Sequence, residues 1–171
     1  MKKILVILLV LFSTIGFSQK PTDIVDKNNI NIVYLEKLIF KGINNHRKLN
    51  KKDSLIWDST LHIESQKHSK WMYDNNKFIH SNDINFSGEC ILFTSSNTLY
   101  NWTYDNYSKL ILEGWITSTD HNKILLYSGK NGKGAIGISI TPNVVYITFR
   151  INRGMVLVDK NDPKLKDMPT Y

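Results

Sequence analysis

The chain has 171 residues, 22 lysines and arginines against 15 acids, a net charge of +7 and a single cysteine. That length suits one domain with a core large enough to fold without disulfides, and one cysteine excludes an internal disulfide framework. The basic residues are scattered apart from Lys48, Lys51 and Lys52 beside a predicted helix end, so the charge marks a solvated surface and not a nucleic-acid patch.

The first 18 residues, MKKILVILLVLFSTIGFS, read as a signal peptide. Two lysines lead an apolar run over residues 4–11, and small Gly16 and Ser18 precede a cleavage point before Gln19. No cysteine sits there to take a lipid anchor. The product is expected to be secreted, extracellular or periplasmic, with no transmembrane span after cleavage. An uncut anchor helix is the alternative. Residues 19–30 are polar and read as a loose linker. From residue 31, Leu35, Leu38, Ile39 and Ile43 recur at three- and four-residue spacing and predict a helix ending near 48–52.

Leu55 and Trp57 then lead into the core, and Asp58 or Ser59 caps a second helix with Leu61, Ser65, His68 and Met72 on one face. Residues 74–106 read as a long irregular loop, which in a compact domain is usually functional. A third helix is predicted over 108–117, with Leu110, Ile111 and Trp115 inward. Residues 118–120 cap a short fourth helix, and the glycine-rich 128–134 is a turn. GAIGISI and VVYITFRI, split by TPN, form a hairpin. Residues 155–159 read as an edge strand and 160–171 as a loose tail. Helices early and strands late make an α+β domain over 31–159.

Several pieces come in a telling order: INNHR at 43–47, LIWDSTL at 55–61, the histidine of FIHS, GEC at 88–90, GWITSTDHNKILL at 114–126, GAIGISI and VYITF. Over residues 33–151 this set resembles the CAP superfamily of cysteine-rich secretory, antigen 5 and pathogenesis-related proteins. It looks most like the bacterial members, whose pattern W-x-x-S-x-x-H is matched by Trp115, Ser118 and His121. The resemblance implies an α-β-α sandwich with a central antiparallel sheet flanked by helices. It also implies a ligand-binding cleft lined by His80, Glu89, Ser118 and His121. Ser118 stands where animal members carry a second glutamate. Cys90 replaces the asparagine of GEN, and Asn122 the arginine that usually follows the second histidine.

Two neutral imidazoles can bind Zn²⁺, and a nearby glutamate can orient a histidine or take a proton from bound water. Two histidines and one acid are too few for a closed site, so Zn²⁺ on His80 and His121 is expected to be weak and pH-sensitive. The trio reads equally as a hydrogen-bond network holding the long loop. The functional expectation is a non-catalytic domain that binds a small or lipid-like ligand, or a partner, since relatives bind sterols, fatty acids or other lipids. A metal-assisted hydrolase using His80, Glu89 and His121 is the alternative, and a structural or interaction module of the envelope is the second. Ser118 as a nucleophile beside His121 lacks an activating motif.

Cys90 reads as a buried thiol whose pKa Glu89 raises, with an intermolecular link or a reactive group as the alternatives. His46, His62 and His68 read as surface or core-edge residues without paired acids. Asn44 and Arg47 read as a buried polar brace, and Trp57 and Trp115 as core. Trp71, Phe78, Phe86, Trp102 and Tyr104 are candidates for an apolar groove, although aromatics scattered in a loop more often pack locally. NFS, NWT and NYS are glycosylation sequons if the source glycosylates exported proteins.

Overall fold

The computed structural model describes residues 19–83, 85–127 and 131–152. The signal peptide, the 155–159 strand and the 160–171 tail fall outside them. Helix α1 (Ile32–Leu49) starts where Asn31 accepts from the Tyr34 amide. It turns its apolar stripe of Leu35, Ile39, Phe40 and Ile43 inward. It ends in a Schellman turn: Lys51 takes positive φ and the Lys52 amide reaches back to the Arg47 carbonyl. The chain then forms the two-residue strand β1 (Ile56–Trp57) and helix α2 (Ser59–Asp74), capped by Asp58 on the Thr60 and Leu61 amides. Helix α2 closes in the same way, with Asn76 at positive φ and Lys77 N–H on the Met72 carbonyl. That turn sends residues 77–83 back across the helix end.

The long loop is shorter than expected. Strand β2 (Gly88–Ser95) and helix α3 (Ser96–Tyr100) occupy its second half, and helix α4 (Tyr104–Thr117) begins four residues early, capped by Thr103. Helix α5 (Thr119–Leu125) and the hairpin β3 (Lys133–Ile140) and β4 (Val144–Asn152) follow as predicted. The segment read as a loose linker is held against the domain. Val25 is buried and its amide donates to the Trp102 carbonyl, while Tyr104 N–H donates to Asp23 O.

The strands form one sheet of order β1-β3-β4-β2. The β3–β4 and β4–β2 pairs are antiparallel, and β1 runs parallel to β3. The sheet is therefore mixed where a wholly antiparallel one was expected, through β1 alone. Strand parity sets the layers. Val145, Ile147, Phe149 and Ile151 join Leu35, Ile39, Ile111 and Trp115 in the main core, on the side of α1 and α4. Tyr146, Thr148 and Arg150 face the other way, toward α2, where Met72 packs on Ile91 and Tyr146 and Ser69 Oγ bonds Thr148 Oγ1 and the Gly137 carbonyl. The result is an α-β-α sandwich. The predicted brace is present: Asn44 exchanges two hydrogen bonds with Leu55, and buried Arg47 donates to the Asp53 and Leu125 carbonyls.

Helix α2 lies so close to β3 that a Cβ at Gly137 would overlap backbone atoms of Ser65 and Gln66. Neither backbone can yield without moving a whole element. Gly137→Ala is expected to cost about 3 kcal/mol of stability, at the upper end for overpacking, read from the urea midpoint.

Candidate functional site

Glu89 and Arg150 are direct cross-strand partners on the α2 face of the sheet. Arg150 Nε donates to Glu89 Oε2 at 2.9 Å, and both side chains are only 3% exposed. The other carboxylate oxygen, Oε1, accepts from His80 Nδ1 at 3.0 Å and from the Ser81 amide at 2.9 Å. Glu89 thus ties β2 to β4 and pins residues 80–81 over the sheet. The His80 side chain, 57% exposed, stands above it. His121, from the first turns of α5, brings its ring centroid to 6.5 Å from that of His80. Its Nδ1 is enclosed and has no hydrogen-bond partner among the described residues. Of the expected trio, His80 bonds Glu89 and lies beside the His121 ring. Ser118 sits at the N-cap of α5 and makes no side-chain capping bond. Of the four residues expected to line the cleft, only His80 lines the cavity described next; Glu89, Ser118 and His121 do not.

An open cavity of about 430 Å³ lies beside His80, walled by Glu64, Lys67, His68 and Trp71 of α2, by Lys77, Ile79, Ser81, Asn82 and Asp83, and by Arg150. A neighbouring pocket of about 280 Å³, lined by Asp58, Phe86 and Lys133, shares Glu64, Asp83 and Arg150 with it. The Arg150 guanidinium lies 4.3 Å over the Phe86 ring, and its Nη1 is 3.8 Å from both Glu64 and Asp83.

Two histidines correct the sequence reading. His68 is no isolated core-edge residue. Its Nε2 donates to the Ile79 carbonyl at 3.1 Å, lies 3.7 Å from Glu89 Oε1, and its ring stacks on Trp71. His62 also has an acid, Glu36 of α1, at 2.8 Å. The clue to both lay in chain folding and not in local spacing, since each acid comes from another element. Arg150 carried a readable signal: in VVYITFRI it shares parity with Tyr146 and Thr148, so it points at a helix-covered face and needs a buried carboxylate. The aromatic candidates scatter. Trp71 lines the cavity, Phe86 supports Arg150, Phe78 packs edge-on to Phe93, Trp102 borders a separate groove with Ile24, and Tyr104 is core.

Burial holds the His68 and His121 imidazoles below their ordinary pKa of 6.5; the His80 charge lowers His121 further, and Glu89 partly offsets the shift of His68. Burial, with Glu89 adding, pushes the Cys90 thiol well up, and Cys90 is fully buried as expected. The zinc expectation meets a donor limit. Both Glu89 oxygens are engaged, and among the described residues no group of three His, Cys, Asp or Glu side chains could hold a metal ion. The donors do not fit a closed, resident zinc.

Residues 40–149 match the model of the cysteine-rich secretory protein family, CAP. The chain belongs to the CAP family. An outer surface protein of Borrelia burgdorferi shares the fold, with a TM-score of 0.53 at 15% identity over 72% of this chain and 96% of its own. An extracellular SCP-domain protein of Bacillus anthracis gives a TM-score of 0.46 at 22% identity, and a cysteine-rich secretory protein of Staphylococcus aureus gives 0.41 at 13%. Each covers 69% of this CAP chain, which spans 40% and 38% of theirs. No curated protein matches the chain. Among the described residues no helix is long and apolar enough to cross a membrane.

Two outcomes are expected for the cluster. Arg150→Met leaves Glu89 buried without its cation and costs about 3–5 kcal/mol, while Arg150→Met with Glu89→Leu recovers most of the loss, both read by denaturant unfolding. His68 and His121 stay neutral in the fold to lower pH than in the unfolded chain. The stability they contribute is full above 6.5 and is lost as pH falls from 6.5 toward their folded values. His68→Gln/His121→Gln should flatten the slope of stability against pH in that window.

Proposed function

We propose that this CAP chain is a secreted, non-catalytic binding module whose cleft, beside His80, Glu89 and His121, holds a small ligand. The observation that carries the reading is an open cavity of about 430 Å³ directly beside a fixed polar cluster. Pockets for small ligands run from about 300 to 1,000 Å³ and combine apolar wall with a few placed polar groups. Export is supported by the sequence of residues 1–18 and by membership of a secretory protein family.

Glu89 is committed to His80, Ser81 and Arg150, which argues against its serving as a proton acceptor for bound water, as the hydrolase alternative requires. Zn²⁺ enters only as a weak, exchangeable contact of the His80 and His121 nitrogens. A lipid-like ligand draws its support from exposed Ile79 in the cavity wall and from the exposed pair of Phe78 and Phe93.

Native mass spectrometry of the protein recovered after export tests the reading. A co-purifying ligand is expected in the wild type and lost in a still-folded His80→Ala/His121→Ala variant. A ligand-free wild type, with the variant merely less stable, would make the cluster an architectural brace. Calorimetric titration with Zn²⁺ at pH 7.5 should give a Kd weaker than about 10 µM, absent in the double variant.

A further inference from the structure

We propose that the cleft takes a saccharide, with one pyranose ring laid on the indole of Trp71. This names the ligand class of the binding reading above and rests on it.

The walls divide by chemistry. Trp71 and Ile79 supply apolar surface, and the rest is charged or polar: Glu64, Lys67, Lys77, Asp83 and Arg150, with His68, His80, Ser81 and Asn82. An acyl chain or sterol ring in this space would strip water from five charged side chains and return no hydrogen bonds. A sugar ring has the opposite requirement. Its axial C–H face wants a flat apolar partner, and its equatorial rim wants hydrogen bonds from planar side chains that span neighbouring hydroxyls.

Trp71 is the flat partner. It is 39% exposed, an unusual state for an indole within a cavity wall. Its orientation is fixed by a neighbour in the same wall: the His68 ring stacks on it at 5.9 Å and 12°, and His68 is itself held by the Ile79 carbonyl. An aromatic held this way contributes contact area with little rotamer entropy left to lose.

The rim is also in place. Glu64 and Asp83 each lie 3.8 Å from Arg150 Nη1, beyond hydrogen-bond length. Asp83 Oδ1 accepts from the Asn85 amide and Glu64 Oε1 lies 3.7 Å from Lys67, which leaves each carboxylate its other oxygen for the cavity. Asn82 beside them offers an amide with both donor and acceptor. Arg150 cannot swing away, because Glu89 holds its Nε at 2.9 Å and Phe86 lies under its guanidinium.

The test uses the purified protein with three probes, chitohexaose, cellohexaose and hexagalacturonate, by saturation-transfer NMR and calorimetry, beside sodium palmitate. At least one oligosaccharide is expected to bind, with transfer strongest at its ring C–H protons. Trp71→Ala should weaken it at least about 10-fold, and Trp71→Tyr should restore it to within about 3-fold. Binding unchanged in Trp71→Ala overturns the placement. Palmitate binding that depends on His80 and His121, with no oligosaccharide bound at millimolar concentration, overturns the saccharide class and leaves the binding reading intact. No binding of any of the four probes overturns both.

Discussion

The buried pair of Glu89 and Arg150 is the constraint on which the site depends. Two charges on facing strands, each 3% exposed, cost several kcal/mol of desolvation apiece unless the geometry returns it. Here it is returned by shared use. One Glu89 oxygen takes Arg150; the other takes His80 and the Ser81 amide. The hold of β2 on residues 80–81 therefore passes through one carboxylate. Removing it would leave the β2–β4 ladder in place but release His80 and Ser81 from the sheet.

The pair can be this buried because helix α2 covers it. Gly137 lets the helix backbone settle against β3, and Ser69 bonds Thr148 and the Gly137 carbonyl beneath it. That close approach carries His68 to Glu89 and puts Trp71, one turn on, at the cleft wall. The far face of the sheet packs mainly apolar side chains on α1 and α4, with Thr94 bonding the Tyr107 hydroxyl. From α1, the buried Glu36 carboxylate meets His62, Gln66 and the Ile138 amide. Chemistry and core are thus sorted by strand parity: odd positions 145–151 build the core, and even positions 146–150 face α2.

Much of this was legible in the chain. The apolar spacing of Leu35, Ile39 and Ile43 gave α1, Asp58 marked the start of α2, and the paired β-branched runs gave the hairpin. Motif order also points to His80, Glu89 and His121; His80 neighbours both of the others, but it alone of the three lines the cavity. Strand β2 was missed because Glu89 stands at an inward position and Cys90, Ile91 and Leu92 follow as an unbroken apolar run, so no alternation appears. The first turn of α4 was missed because YDNY reads as polar loop, although Tyr104 and Tyr107 are fully buried. His68 was invisible as a site residue for a different reason. Its meaning lies in an acid that another element delivers, and single-chain spacing carries no such information, whereas the parity of Arg150 with Tyr146 and Thr148 did mark it as an inward charge.

The lone thiol has its own consequence. Cys90 sits on the apolar side of β2, one residue from the ion pair, with its sulfur directed at the His121 carbonyl 3.8 Å away. In an oxidising compartment an accessible thiol would couple to whatever disulfide it met. Here the sheet is its shield, and the thiol becomes available only when β2 lifts from α5. Its rate of reaction with an external reagent is therefore a clock for the opening of that edge, running on the free energy of local unfolding and silent about the rest of the domain.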